Sequence, residues 1–417
     1  MNKLKAVLNV ASGNFFEMYD FMVYGIYAPI IAQTFFPNNN KYISIMMSFG
    51  VFAAGFLMRP FGAIVIGAYI DKNGRKKGLT LTLGLMGIGM LMLTFTPGYS
   101  YIGIFAPILI LIGRLIQGIA AGVELGGVSI YLAEIAPPNQ RGFYVSWQSA
   151  SQQLAVVAAA LIGYLLSKYI TNDQMNSFGW RIPFLIGCFI VPFVFYQRRN
   201  LEETEAFKSR TEKLTMRQIF SSALSSYKTI LLGSTLVMLT TVMFYMITAY
   251  TPTYGKSMLN FSSTNAFMVT VFVGISNFIL LPIMGIISDK VGRVKPLIFF
   301  SVLGIISAYP LLHWLTVAPS FAKFLFVELF FSFIFAGYNG SMVVALTEIV
   351  DKSTRTIGFS LAYSLATAIY GGFTPLIATS LIHISANDAM PGVWISISAV
   401  FSFIAVCIVS KTTNLAK

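Results

Sequence analysis

The sequence predicts an all-α polytopic membrane protein, with twelve transmembrane helices in two pseudo-symmetric six-helix bundles. Composition is the first observation behind this. Of 417 residues, 56% are hydrophobic and only 10% charged, with a mean hydropathy of +0.75, whereas soluble domains carry about 25% charged residues. At about 20 residues per crossing, that apolar content suffices for about 11 or 12 helices. The second observation is that the apolar runs fall into two sets of six around one long polar stretch. The third is that loop motifs of the first set recur in the second. Two cysteines exclude a disulfide scaffold or a Cys-based metal site. The net charge of +13 is not gathered on any soluble domain, as nucleic-acid binding would require.

In chain order, the apolar runs lie at 13–36, 43–70, 78–96, 102–134, 142–167 and 178–197, then at 229–251, 264–288, 296–315, 320–349, 356–384 and 391–410. The long run at 102–134 fits a bilayer if its helix is tilted. This gives an N-terminal bundle over 1–197, a connector over 198–228 and a C-terminal bundle over 229–417. The first run has no small-residue cleavage pattern and exceeds signal-peptide length, so it is expected to remain a transmembrane helix. Alternating the loops places most of the 28 basic residues on one side, including Arg75, Lys76, Lys77, Arg141, Arg293, Arg355 and all those of the connector. Only Lys41, Lys168, Arg181, Lys256 and Lys323 fall opposite. The positive-inside rule makes the crowded side cytoplasmic, with both termini on it.

The repeat is specific. Gly67, Asp71, Lys72, Gly74, Arg75, Lys76 and Lys77 are matched by Gly285, Asp289, Lys290, Gly292, Arg293, Val294 and Lys295. Ala133-Glu134-Ile135 with Arg141 is matched by Thr347-Glu348-Ile349 with Arg355. Duplicated halves around a midplane cavity are the architecture of many secondary transporters. These loop residues are gate candidates: ion pairs among Asp71, Arg75, Glu134, Arg141, Asp289, Arg293, Glu348 and Arg355 could latch the halves together on one side. The alternative is that the basic residues only set topology.

The glycine–aspartate–basic loop and its echo resemble the signature of the major facilitator superfamily. Gly13-Asn14-Phe15-Phe16-Glu17-Met18-Tyr19-Asp20-Phe21, Arg59-Pro60-Phe61-Gly62 and Gly179-Trp180-Arg181-Ile182-Pro183-Phe184 resemble, more narrowly, its metabolite–proton symporters. Three longer strings look most like the citrate–proton symporters: 122–131, 146–153 and Tyr338-Asn339-Gly340-Ser341-Met342. The resemblance implies the superfamily's fold and uptake of citrate or a similar tricarboxylate with protons across a bacterial inner membrane. Tricarballylate, another carboxylate, an osmolyte, or exchange and export on the same scaffold are the alternatives. Val294 stands where this loop motif has a basic residue, so the second copy is expected to be the weaker gate. No heptad pattern follows Lys411, which counts against an osmosensing coiled coil.

Ionisable residues at bilayer depth cost roughly 2.5–3.5 kcal/mol each on insertion scales and need a reason. Gly13, Glu17, Asp20, Tyr24 and Tyr27 share one helical stripe. Glu17 and Asp20, with Glu124 of the fourth span, are the proton-coupling candidates; salt bridges from Glu17 or Asp20 to Arg59 or Arg114 are the structural alternative. Arg114, Gln117 and Glu124 fall along one face of that span, while Gly118, Gly122 and Gly126 form a small-residue ladder on the next. A permanently charged, planar, bidentate donor suits a carboxylate, so Arg114 and Arg59 are the leading ligand candidates. Asn14, Gln117, Gln148, Gln152, Tyr245, Asn277, Tyr338 and Asn339 supply neutral donors and acceptors for a hydroxylated tricarboxylate, with interhelical hydrogen bonding as the alternative. Tyr363, Thr367 and Tyr370 form a further stripe in the eleventh span.

No nucleophile triad, phosphate-binding loop or metal-ligand cluster is present in the sequence, so neither an enzyme nor an ATP-driven pump is expected. No cofactor or metal is expected, only a co-transported proton, with sodium as the alternative ion. The expected partners are a small carboxylate and the lipid bilayer, with no nucleic acid, and the carrier is expected to be a monomer.

Overall fold

The computed structural model describes residues 3–73, 75–122, 124–198, 226–350 and 355–412. Among them, all regular structure is helical, in twelve long segments. In the first half these are α1 (Lys3–Ile26, resumed as Ala28–Phe35), α2 (Lys41–Asn73), α3 (Arg75–Phe95), α4 (Phe105–Ala121, resumed as Glu124–Ile135), α5 (Arg141–Tyr169) and α6 (Ile182–Arg198). In the second they are α7 (Tyr227–Tyr245, prolonged to Met258), α8 (Ser263–Val291), α9 (Val294–Val317), α10 (Phe321–Ile349), α11 (Arg355–Ala366, prolonged to Ser385) and α12 (Pro391–Thr412). The connector lies outside the described residues.

Eight of the twelve are long and apolar enough to cross a bilayer by those measures alone. The apolar stretches of α3 and α4, Thr80–Phe95 and Phe105–Ala121, are shorter. Of the run that the sequence places at 102–134, the structure describes helix over Phe105–Ala121 and Glu124–Ile135. Leu57, Phe61, Leu91, Phe105, Phe189, Ile279, Phe299 and Ile306 point outward. Such a belt of large exposed side chains is tolerable in lipid but not in water. Asn14, Glu17, Asp20, Arg59, Arg114 and Glu328 are all buried inside, the inverse of a soluble protein.

Glycines set the closest helix contacts. A Cβ on Gly118 would run into the Gly55 carbonyl oxygen, one on Gly62 into Ile119 O, and one on Gly122 into Arg59 O. The small-residue ladder of α4 therefore seats it against α2, main chain on main chain. Replacing Gly118 by Val is expected to cost more than the usual 1–3 kcal/mol of overpacking, because the obstructing atom is backbone. The detergent-solubilised variant is expected to lose most of its folded yield, read by size-exclusion chromatography. Gly50→Ala in α2, where nothing lies within 4 Å, is expected to behave as wild type.

Within the halves, α2 packs on α4, α3 on α4 and α6, α1 on α5, α9 on α12 and α10, and α7 on α11 and α12. The seam between halves is formed chiefly by α5 against α8 and α10, α2 against α11, and α1 against α7. Where α5 meets α8, a Cβ on either Gly142 or Gly285 would lie 2.5 Å from the other's carbonyl oxygen. At the opposite end, a Cβ on Gly25 of α1 would lie 2.7 Å from that of Ala249. The halves thus touch at both ends.

Two helices on this seam lose regular winding. The prolongation of α7 contains π-helical turns at Met246–Tyr250 and Tyr254–Met258, and α11 contains one at Thr367–Gly371. Such turns hold an extra residue and recur at functional sites. Pro60 in α2 and Pro282 in α8 each remove one backbone donor inside a helix. Pro60 directly follows Arg59.

Candidate functional site

Between the two contacts, the seam leaves a cavity with about 320 Å³ of empty space, part of it open to solvent. Its wall includes Met18 of α1, Arg59 of α2, Ser149 and Gln152 of α5, Thr240, Thr241, Phe244 and Tyr245 of α7, Phe335 of α10, and Tyr363 and Thr367 around the wound turn of α11. Both halves contribute.

Arg59 is the charged group on this wall, and its residue is 1% exposed. Its guanidinium carbon stands 4.2 Å from the ring centre of Phe21 and 4.5 Å from that of Phe56. Nη2 is 3.7 Å from Glu17 Oε1, an ion pair longer than a hydrogen bond. Nε, Nη1 and Nη2 have no hydrogen-bond partner among the described residues, nor do the hydroxyls of Thr240 and Thr367. Leaving donors of a charged group unsatisfied in a buried site is costly, and a ligand carboxylate could supply the missing acceptors.

Arg114 lies deeper in the first half, not on the wall. It faces the rings of Phe21 at 4.6 Å, Tyr24 at 4.7 Å and Phe52 at 5.5 Å. Its Nη1 donates to Gln117 Oε1 at 2.8 Å, and Gln117 Nε2 donates to Asp20 Oδ1 at 2.8 Å. Phe21 is thus shared by both guanidinium groups, while Gln117 links Arg114 to Asp20. Arg114, Arg59, Glu17 and Asp20 form one buried cluster of two cations and two acids.

The remaining candidates divide. Gln152 and Tyr245 line the cavity. Asn14 donates to Gln148 O at 2.6 Å and to Ser151 Oγ, and accepts from Gln152 Nε2 at 3.3 Å, so it orients α5 beside the cavity. Gln148 Oε1 accepts from Ser149, leaving Nε2 without a partner among the described residues. Asn277 is engaged between helices, donating to Gln153 and accepting from Ser332 at 2.6 Å. Tyr338 donates to Leu236 O at 2.8 Å. Asn339 is buried with neither side-chain atom paired among the described residues, off the cavity wall. The side chain of Glu124 lies outside the described residues. Tyr363 and Thr367 of the eleventh-span stripe also line the cavity, and Ser149, Thr240 and Thr241 join the site as small hydroxyls that the sequence reading does not single out.

At the end of the seam where α8 finishes and α5 starts, Asp289 accepts from the backbone N–H groups of Gly142 at 2.8 Å and Phe143 at 3.0 Å. These are first-turn donors with no intrahelical acceptor, at the positive end of the α5 dipole. Arg293 Nη1 donates to Asp289 Oδ1 at 2.7 Å, and its Nη2 stands 3.5 Å from Glu348 Oε1. The second loop motif is therefore linked across the seam despite Val294. Glu134 and Arg141 are exposed, and the side chains of Asp71, Arg75 and Arg355 lie outside the described residues. Charge-assisted hydrogen bonds contribute about 1.5–3 kcal/mol each. Asp289→Asn is accordingly expected to open this end, raising the thiol-labelling rate of a cysteine placed at Ser146 by about tenfold or more at 1.4 kcal/mol per decade.

At the opposite end Lys41 Nζ donates to Ser257 O at 3.1 Å, and the ring of Tyr42 lies 5.1 Å from that of His383, tilted against it. Asp388, in the turn before α12, is pushed above its ordinary range by partial burial, while Lys41 pulls it down. Among the described residues no group of three His, Cys, Asp or Glu could hold a metal ion.

Comparison with known proteins agrees with this architecture. Residues 10–375 match the family model described as Major Facilitator Superfamily. A citrate–proton symporter of Salmonella typhi is 53% identical over 94% of this chain and 91% of its own length. One of Klebsiella pneumoniae is 50% identical over 99% and 93%. The solved structure of a D-xylose–proton symporter superposes with a TM-score of 0.78 over 100% of this chain and 99% of that one, at 20% identity, a likeness of fold.

Proposed function

Since the chain belongs to the major facilitator superfamily, we propose that it imports citrate or a similar tricarboxylate together with protons, by alternating access across a bacterial inner membrane. The two relatives described above, each named a citrate–proton symporter, support the substrate class. The observation that carries the proposal is Arg59: a buried guanidinium on the cavity wall with three nitrogens lacking hydrogen-bond partners among the described residues. In this reading Arg59 takes one carboxylate, and Gln152, Ser149, Thr240, Thr241, Thr367 and Tyr245 take the hydroxyl and remaining oxygens.

Charge balance supplies the coupling. The cluster of Arg59, Arg114, Glu17 and Asp20 sums to zero when all four are ionised. A polyanion entering this dry site is tolerated only if acids of the cluster take up protons, because burying uncompensated charge is prohibitive. Neutralising Asp20 leaves Arg114 in excess, and the shared ring of Phe21 places that excess beside Arg59. Protons are needed energetically as well. A trivalent anion moving to a negative interior works against roughly 2.3 kcal/mol per charge per 100 mV.

The two bundles, with 198–228 as the cytoplasmic connector, then rock about the seam. The Asp289–Arg293–Glu348 link closes the inner side and Lys41 with the Gly25–Ala249 contact closes the outer. Activity is transport and no bond is made or broken. Reconstituted protein in liposomes is expected to accumulate radiolabelled citrate when the outside is acidified, with a protonophore collapsing the gradient and unlabelled tricarballylate competing. Uptake that follows an imposed sodium gradient and ignores pH would reject proton coupling; no uptake under either would reject the substrate class.

A further inference from the structure

A second cavity lies on the same seam, at the end opposite Asp289, with about 500 Å³ of empty space that includes open solvent. It is walled by α1 around the break at Tyr27, by the end of α5 and the short helix Asn172–Ser177, by the α7 prolongation and by the start of α8. Its polar lining comprises Tyr27, Ser167, Asn172, Asn176, Lys256 and Ser263. Tyr27 is 0% exposed, yet its hydroxyl has no hydrogen-bond partner among the described residues, and neither does the hydroxyl of Ser167. Lys256 has no acid within ion-pair distance among the described residues. Asp173, on the short helix, is not part of the wall. Lys256 is itself exposed, and the lining of this cavity contains one cation and no anion.

We infer that this cavity is an outer docking site, where one carboxylate group of the substrate rests on Lys256, Tyr27 and Ser167 before passing to Arg59. The inference rests on the substrate class and direction proposed above. The chemistry fits a station rather than a final site. Lys presents a strongly hydrated point charge on a flexible stem, whereas Arg presents a preorganised bidentate fork. The outer group thus attracts and releases while the inner one holds. Tyr27 marks the passage: its ring lies 5.6 Å from that of Phe267, and Phe267 packs so tightly on α5 that a Cβ on Gly163 would lie 2.8 Å from it. Lys256 itself sits in a π-helical turn, on the segment whose neighbouring carbonyl, Ser257 O, is held by Lys41.

A station of this kind acts on capture from one side. Lys256→Gln is expected to raise the KM for radiolabelled citrate uptake from the outer face by about five- to tenfold and to flatten its dependence on ionic strength, as lost electrostatic steering does. Lys256→Arg is expected to restore both. In everted vesicles, where citrate approaches from the other face, KM is expected to stay within twofold of wild type. Tyr27→Phe, which keeps the ring, is expected to raise the outer KM about two- to threefold. An unchanged outer KM in Lys256→Gln, or an equal rise from both faces, would overturn the docking site while leaving Arg59 and the transport reaction standing. Absence of citrate uptake by the wild-type protein would instead overturn the functional reading and this inference with it.

Discussion

Arg59→Gln is expected to abolish proton-driven citrate accumulation, with kcat/KM falling between about 30-fold and several thousand-fold. Truncating one partner of a buried charge pair costs about 2–5 kcal/mol, and 1.36 kcal/mol is one decade in rate. Gln keeps much of the length and two donors but loses the charge and the fork. Arg59→Lys tests the fork separately. An ammonium cannot offer parallel donors to a carboxylate while lying flat over the rings of Phe21 and Phe56, so it is expected to recover only a small part of the activity. Initial rates of citrate uptake in proteoliposomes decide the matter. Full activity in Arg59→Gln would remove the ligand from this wall, and Arg114→Gln would then be the substitution to measure.

The second large effect is qualitative. Asp20→Asn preserves shape and an acceptor for Gln117 Nε2, now 2.8 Å from Oδ1, but fixes the position in the neutral form. The carrier is then expected to exchange internal for external citrate at near wild-type rate and to lose pH-driven accumulation altogether. Counterflow and uphill uptake, measured on the same liposomes, separate the two activities. Accumulation that still follows the pH gradient would move the coupling proton elsewhere, with Glu17, 3.7 Å from Arg59, as the next group to neutralise.

Much of the fold was legible because lipid imposes a simple code. Twelve apolar runs and a repeated loop motif needed only counting, and the ladder of Gly118 and Gly122 announced a close helix contact that the structure places against α2. The stripe of α1 was equally plain, since Glu17, Asp20, Tyr24 and Tyr27 at helical spacing have one buried face to share. The two arginines were harder to order. Helical position alone gave Arg114 an inward face, but the rings of Phe21, Tyr24 and Phe52 that screen it from the cavity come from two other helices. Asn277 and Tyr338 look like ligands in a sequence because the partners that occupy them, Ser332 and a main-chain carbonyl, are set by packing. Asp289 was marked by its motif, but its partners on α5 are backbone N–H groups, which leave no residue signature. The wound turns of α7 and α11 have no local signal at all.

The contact of Gly142 with Gly285 has a thermodynamic corollary for turnover. A joint in which main chain meets main chain freezes no rotamers when it shuts and releases none when it parts, whereas each long side chain immobilised there would cost up to about 1.5–2 kcal/mol on every cycle. This end of the seam can therefore part and close with little entropic drag, and the work of choosing a direction falls on the few charged groups at its rim.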